Sequence, residues 1–182
     1  MAAPKAVDDL DNLLERLVAR LVALEERTGV LERQEASPVV ARYKTNAGQN
    51  IPDTTMTIID FEDVDYDTYD AVTTGAAWAF TAPIGGWYRV TVAITFASST
   101  TWREDEIAQV ELWKEGIVFS VLSRTWGQDS SGGSQFKFTR GSDTIYLAVG
   151  EAINIRASQI SGGALALHTD SRYNHVAIER VG

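Results

Sequence analysis

The sequence predicts an all-β sandwich head carried on an N-terminal α-helical stalk, a parallel three-stranded coiled coil. Three observations lead there. Leucines repeat every seven residues before residue 38, hydrophobic residues alternate with period two after it, and glycine-rich turns divide that second part. The expected organisation is a flexible N-terminal anchor over residues 1–6, a stalk over 7–38 and a head over 39–182.

The stalk is read first from its seam. Leu10, Leu17, Leu24 and Leu31 stand seven apart, and Val7, Leu14, Leu21 and Thr28 fill the alternate positions. Helical heptads sustained over this span make a rod of roughly 40 Å. A lone amphipathic helix of that length is marginal in water, so it needs partners. The alternative is a single helix packed on its own β domain. The flanking charges favour the bundle: Arg20 and Glu25 fall at g and the following e positions, and Arg27 and Glu32 repeat the arrangement. Those spacings permit interhelical ion pairs between parallel chains. Residues 20–25 also resemble the Arg-h-x-x-h-Glu signature of parallel three-stranded coiled coils, and residues 27–32 match it in part. Leu13 and Val18 broaden the apolar seam, which suits three strands better than two. Gly29 weakens the last turns by up to ~1 kcal/mol relative to alanine. Ser37-Pro38 ends the helix, because a residue before proline avoids the helical region.

Beyond Pro38 the period becomes two. Tyr88, Val90, Val92, Ile94 and Phe96 alternate with Arg89, Thr91, Ala93 and Thr95, as in a strand with one buried face. Val110 and Leu112 continue the style, followed by Ile145, Leu147 and Val149, then Ile153 and Ile155, then Val176 and Ile178. Gly85-Gly86, Gly116, Gly127, residues 130–133, Gly141, Gly150 and Gly162-Gly163 read as punctuation between strands. There is no internal repeat of the kind that builds a propeller or a β-helix.

Composition narrows the function. Among 182 residues, 16 Lys and Arg face 25 Asp and Glu, a formal charge of −9. Wrapping nucleic acid or docking on anionic lipid needs clustered cations, so neither partner is expected. The chain has no cysteine, which excludes disulfides and thiolate metal sites. No run approaches the ~18–20 apolar residues of a membrane-spanning helix, so no membrane insertion is expected. Asp8, Asp9 and Asp11 fall where a secretion signal needs an apolar core, and the expectation is synthesis in the cytoplasm.

Chemistry-bearing constellations are few. His168 and His175 have no nucleophile-elbow motif to serve, and no phosphate-cradling glycine loop exists, so no enzyme is expected. The segment Asp60, Glu62, Asp63, Asp65, Asp67, Asp70 is the strongest charge feature. Alternate acids Asp63, Asp65 and Asp67 are candidate ligands for a structural divalent cation such as calcium, against a simply solvated acidic loop. No other cofactor is expected. Trp78 and Trp87 lie in strand-like patterns and are expected in the core. Trp102 and Trp126 lie in polar loops and are candidate ligand-binding aromatics, able to stack on a sugar or anchor a protein. The competing reading buries such aromatics between protomers. Trp113, out of phase with Val110 and Leu112, is expected to face a neighbouring subunit.

Residues 78–92, from Trp78 through Pro83 and Gly86 to Tyr88, Val90 and Val92, resemble the F-x-x-P-x-x-G-x-Y-x-F stretch of complement-type globular heads. That family shares its jelly roll with tumour necrosis factor. Three further segments fit in order. Residues 57–71 resemble its early i-x-F-D strand and loop, residues 110–118 its v-x-L-x-k-N-G hairpin, and residues 145–155 its L-x-L-x-x-G-D-x-V hairpin. Glu115 stands for the hairpin asparagine, Glu151 for the usual acid, and Val176-Ala177-Ile178-Glu179 for the family's closing F-s-G-x-L run. The resemblance implies a jelly-roll head and a homotrimer.

A trimeric stalk bearing an acidic jelly-roll knob also resembles small bacteriophage head-fibre, capsid-decoration and tail-knob proteins. On that reading the chain is a virion surface protein. Its N-terminal region would bind other virion proteins, and its head would face outward toward a host-surface glycan or protein. A cellular ligand-binding or adhesion module of the complement-head type is the alternative.

Overall fold

The computed structural model describes residues 15–25, 38–99, 105–127 and 135–181. The chain divides into two units, Met1–Pro38 and Val39–Gly182. In the first, residues 15–25 are helical. The rest of the predicted stalk and the N-terminal anchor lie outside the described residues.

The second unit is a β-sandwich. Its strands are β1 (Val40–Lys44), β2 (Asn50–Ile51), β3 (Thr57–Ile58), β4 (Asp63–Asp67), β5 (Val72–Thr73), β6 (Ala79–Thr81), β7 (Gly86–Ser99), β8 (Ile107–Lys114), β9 (Ile117–Trp126), β10 (Gln135–Leu147), β11 (Ala152–Ile160), β12 (Leu165–Ala166) and β13 (His175–Arg180). One sheet runs β10-β7-β13-β1-β4. The second runs β5-β6-β11-β8-β9, with β3 also on β11, and β12 pairs with β2. Ladders between these strands are antiparallel. β13, last in the chain, inserts between β7 and β1, the kind of crossover that distinguishes a jelly roll from a meander.

The period-two pattern becomes the core. Tyr88, Val90, Val92, Ile94 and Phe96 all point inward from β7 and are buried. They meet Val110 and Leu112 of β8, Ile153 and Ile155 of β11, and Val176 and Ile178 of β13 in one cluster. Trp78 is fully buried at its centre, edge-on to Phe61 at 5.2 Å and Tyr43 at 6.4 Å, and Phe80 meets Tyr88 at 5.5 Å. Edge-on aromatic pairs add about 0.5–1.5 kcal/mol each beyond their burial.

Buried polar side chains tie the loops to this core. Asn174 is fully buried: its Oδ1 accepts from Thr95 N at 2.8 Å and its Nδ2 donates to the His168 carbonyl. Its own carbonyl accepts from Thr45 N at 3.1 Å. Asp67 accepts from the Tyr43 hydroxyl at 3.0 Å, Tyr69 N at 3.1 Å and Ala71 N at 2.9 Å, closing the turn after β4.

Two expectations about turns and strands need correction. Gly141 does not punctuate: it sits inside β10, paired with Val92. A Cβ there would lie 2.1 Å from the Leu122 carbonyl oxygen of β9, so the glycine permits two edge strands to meet. Val149 does not extend the β10 strand either. It sits in the turn before Gly150 (φ 84), 70% exposed.

The β8–β9 connection is a two-residue turn with positive φ at both Glu115 (48) and Gly116 (77), the twist that antiparallel hairpins favour. Glu115 also has a local bonding role at this turn. The Glu115 carboxylate accepts from Ala152 N at 2.5 Å, while its own N–H donates to the Ala152 carbonyl at 3.0 Å. Glu151 accepts from Ala148 N at 2.8 Å and pairs with Lys114 at 2.6 Å. The β8–β9 and β10–β11 hairpins are thereby fastened together.

Candidate functional site

The apolar residues left outside the core define the surfaces available for interaction. On the helix, Leu17, Leu21 and Leu24 are four and three apart and so share one face, each more than half exposed within the single chain. Val18 and Val22 on the same helix are also about half exposed. Arg20 and Glu25 belong to the same helix. Val7, Leu10, Leu14, Arg27, Leu31 and Glu32 lie outside the described residues.

In the head, the outer face of the five-stranded sheet can be read rung by rung from its register. At one end Trp87 and Tyr146 pair across β7 and β10. Their rings meet edge to face at 5.6 Å, and they are 53% and 50% exposed. The expectation that Trp87 is core is therefore wrong. Tyr88 is buried, and the adjacent residue of a strand must point the other way. On the next rung the Arg89 guanidinium pairs with Glu179 at 3.0 Å. Then come Ser142, Thr91 and Ala177, and after them Arg140, Ala93 and His175. Phe138 lies at the far end, 6.0 Å from Tyr173, whose ring meets His168 at 5.2 Å.

Strand β9, an edge of the six-stranded sheet, is apolar and exposed along its first half. Ile117 is 72% exposed, and Val118, Phe119 and Val121 are also open. Lys114, at the turn before Ile117, donates to the Tyr146 carbonyl at 3.1 Å. That bond ties the end of β8 to the end of β10. Exposed hydrophobic edges of this kind mark association surfaces.

The residues singled out from the sequence fall in different places. Trp126 is the last residue of β9 rather than part of a loop; its ring is exposed and its carbonyl accepts from Lys137 at 3.2 Å. Trp102 lies outside the described residues. Trp113 does face outward, half-buried beneath the Arg156 guanidinium at 3.9 Å, with its Nε1 donating to Glu111 at 2.8 Å. A cation over an indole is itself a stable arrangement.

Asp63, Asp65 and Asp67 sit alternately along β4. Asp65 pairs with Lys44 and, at 3.1 Å, with Arg42, and these cations lower its pKa. Asp67 is occupied by the Tyr43 hydroxyl and two loop amides. Among the described residues no group of three His, Asp or Glu side chains is placed to hold a metal ion.

The two histidines have distinct surroundings. His168 Nδ1 accepts from Asp170 N at 3.0 Å, and Arg172 donates to both Asp170 oxygens at 3.0 Å. That guanidinium holds the Asp170 pKa down to about 2. His175 is partly buried on the sheet face. Burial, then the charges of Arg42 and Arg140, push its pKa below the usual value.

The sequence matches no family model and no curated protein. Solved structures do match. The Eiger TNF of S. frugiperda superposes with a TM-score of 0.58 at 10% identity, over 80% of this chain and 93% of that one. Murine APRIL, crystallised at pH 8.5, gives 0.53 at 12% identity, over 80% and 100%. The globular domain of zebrafish complement 1qA gives 0.51 at 13% identity, over 79% and 94%. The head is a jelly roll of the tumour necrosis factor and complement-head type. The resemblance read from residues 57–155 is thus a resemblance of fold. In this jelly roll Trp87, Tyr146 and the β9 edge stand apart from the core, and sequence reasoning missed them as a group. Their one signal was parity: Trp87 and Tyr146 flank the buried Tyr88 and Ile145.

Proposed function

We propose that the chain is a non-enzymatic homotrimeric display protein, a coiled-coil stalk bearing a jelly-roll head. The observation that carries this reading is the unburied leucine face of the helix, Leu17, Leu21 and Leu24, on the chain of a tumour-necrosis-factor-type head. A lone amphipathic helix is marginal in water, and its apolar side has to be covered. Three parallel copies cover it through the heptad seam. The heads, brought together by the stalks, then bury the exposed Trp87, Tyr146 and Ile117 against one another.

Its place, on this reading, is the surface of a bacteriophage virion, as a head fibre, decoration spike or tail knob. The N-terminal region binds other virion proteins and the head faces outward. A charge of −9 per chain suits crowded copies on a particle, and a cysteine-free fold needs no oxidation to assemble. Antibody against the head, applied to purified particles and viewed by electron microscopy, tests this placement; labelled particles support it, and unlabelled ones refute it.

A cellular ligand-binding module is the second reading. The observation favouring it is that the structural neighbours include APRIL and the complement 1qA globular domain. Labelling of cell surfaces rather than particles would select it.

A further inference from the structure

His175 of β13 stands in the middle of the outer face of the five-stranded sheet, and the register gives its neighbours. Lys44 of β1 lies across from it on one side, Ala93 of β7 on the other, and Arg140 of β10 beyond Ala93. Arg42 of β1 and Arg172 of the preceding turn also stand near the ring. The nearby carboxylates are largely taken. Asp65 of β4 pairs with Arg42 and Lys44, Asp63 lies across from Lys44, and Asp170 is held by Arg172. Arg140 has no carboxylate partner among the described residues. The ring therefore sits where positive charge prevails.

Its own polar atoms are poorly served as well. The ring is partly buried, and its Nδ1 is buried without a hydrogen-bond partner. Protonation makes both ring nitrogens donors, and the one at Nδ1 then has no acceptor. Burial first, and then the charges of Arg42 and Arg140, push the pKa below its usual 6.5. A bond to the Arg172 backbone and the charge of Asp65 offset only part of this.

We propose that His175 is an acid switch on the association face: a proton taken up there loosens the heads and their hold on one another. The inference rests on the trimer proposed above, in which neighbouring heads cover the face that carries Trp87 and Tyr146. His175 belongs to that face. Covering it removes further water from the ring and from the unpaired Arg140, which disfavours the charged imidazole again. Assembly therefore expels the proton, and by linkage the proton opposes assembly. The unfolded chain takes up this proton near pH 6.5, and the folded, assembled chain only at lower pH. The stability that His175 contributes is complete above pH 6.5 and is lost as pH falls through the pKa of the buried ring. Little else interferes in this window, because the chain has only two histidines and its carboxylates titrate lower.

Sedimentation over a dilution series and urea unfolding, both on the full chain at pH 7.5, 6.5 and 5.5, test the switch. The parent should sediment as three copies at pH 7.5. Its urea midpoint should fall between pH 7.5 and 5.5, and it should dissociate at higher chain concentration in acid. Where dilution does not dissociate it, the midpoint decides. His175→Gln should flatten the pH dependence, Arg140→Gln should lessen it, and His168→Gln should leave it as in the parent. Ring resonances of the parent's histidines, assigned with His168→Gln, should show His175 titrating below 6.5. That measurement decides even where His175→Gln fails to fold. A single-chain mass at pH 7.5 removes the assembly, and the switch with it. A stable trimer whose midpoint does not change from pH 7.5 to 5.5 overturns the switch alone. So does a fall that His175→Gln retains or His168→Gln abolishes, or a His175 that titrates at 6.5 or above.

Discussion

Trp87 and Tyr146, paired across β7 and β10, hold their rings edge to face at 5.6 Å on the outside of the sandwich, each about half exposed. Two large aromatics ordered against each other but not against the core are a surface prepared for association. Trp87→Ser should therefore weaken self-association while leaving the melting of the dissociated head nearly unchanged. A central interface aromatic is worth about 2 kcal/mol, so the dissociation constant should rise roughly 30-fold. Sedimentation over a concentration series reads this directly; an equal loss of head stability would instead place Trp87 in the fold.

The contact between β9 and β10 at Gly141 makes a sharp stability prediction. An alanine Cβ would sit 2.1 Å from the Leu122 carbonyl oxygen, and neither strand can retreat without breaking its ladder. Gly141→Ala should cost about 3 kcal/mol or more. Gly163→Ala, with open space around the position, should stay within ~0.5 kcal/mol. Urea unfolding of both variants provides the comparison.

Asn174 offers a second test inside the head. Its side chain satisfies Thr95 N and the His168 carbonyl at a fully buried position. Asn174→Ala removes both bonds from a buried site, so a loss of about 2–4 kcal/mol is expected. A loss below ~0.5 kcal/mol in chemical denaturation would show that water replaces the amide.

Alkaline pH should unfold the head through Tyr43. Burial first, and then its hydrogen bond to Asp67, raise the phenol from 10.0 to about 12. The unfolded chain loses this proton near pH 10 and the folded one only near 12. The associated stability is therefore complete below pH 10 and is lost as pH climbs through that window. Tyr43→Phe should flatten that part of the stability curve relative to the parent, measured by denaturant melts between pH 8 and 12.

How much of this could be read beforehand depended on the range of each interaction. The alternation of Tyr88, Val90, Val92, Ile94 and Phe96 is local, so it marked a buried strand face correctly. Glycine at 141 looked like a turn, because the Leu122 carbonyl that requires it belongs to another strand. Trp87 stands in a strand-like pattern, yet it neighbours the buried Tyr88 and so points outward, 53% exposed. Asp67 read as part of an acidic run, whereas Tyr43 and two amides, brought to it by folding, use its oxygens internally. Arg140 gave no signal at all, since its setting arises from the register of β10, β7 and β13.

The central claim, three copies joined through the helix, is tested most directly by the mass of the full chain in solution. Sedimentation equilibrium at micromolar concentration should give about three times the 19.9 kDa chain mass. Leu17→Asp combined with Leu24→Asp, which places charges in the exposed apolar face, should lower that mass. A parent chain that sediments as one copy, or as two, would contradict the account.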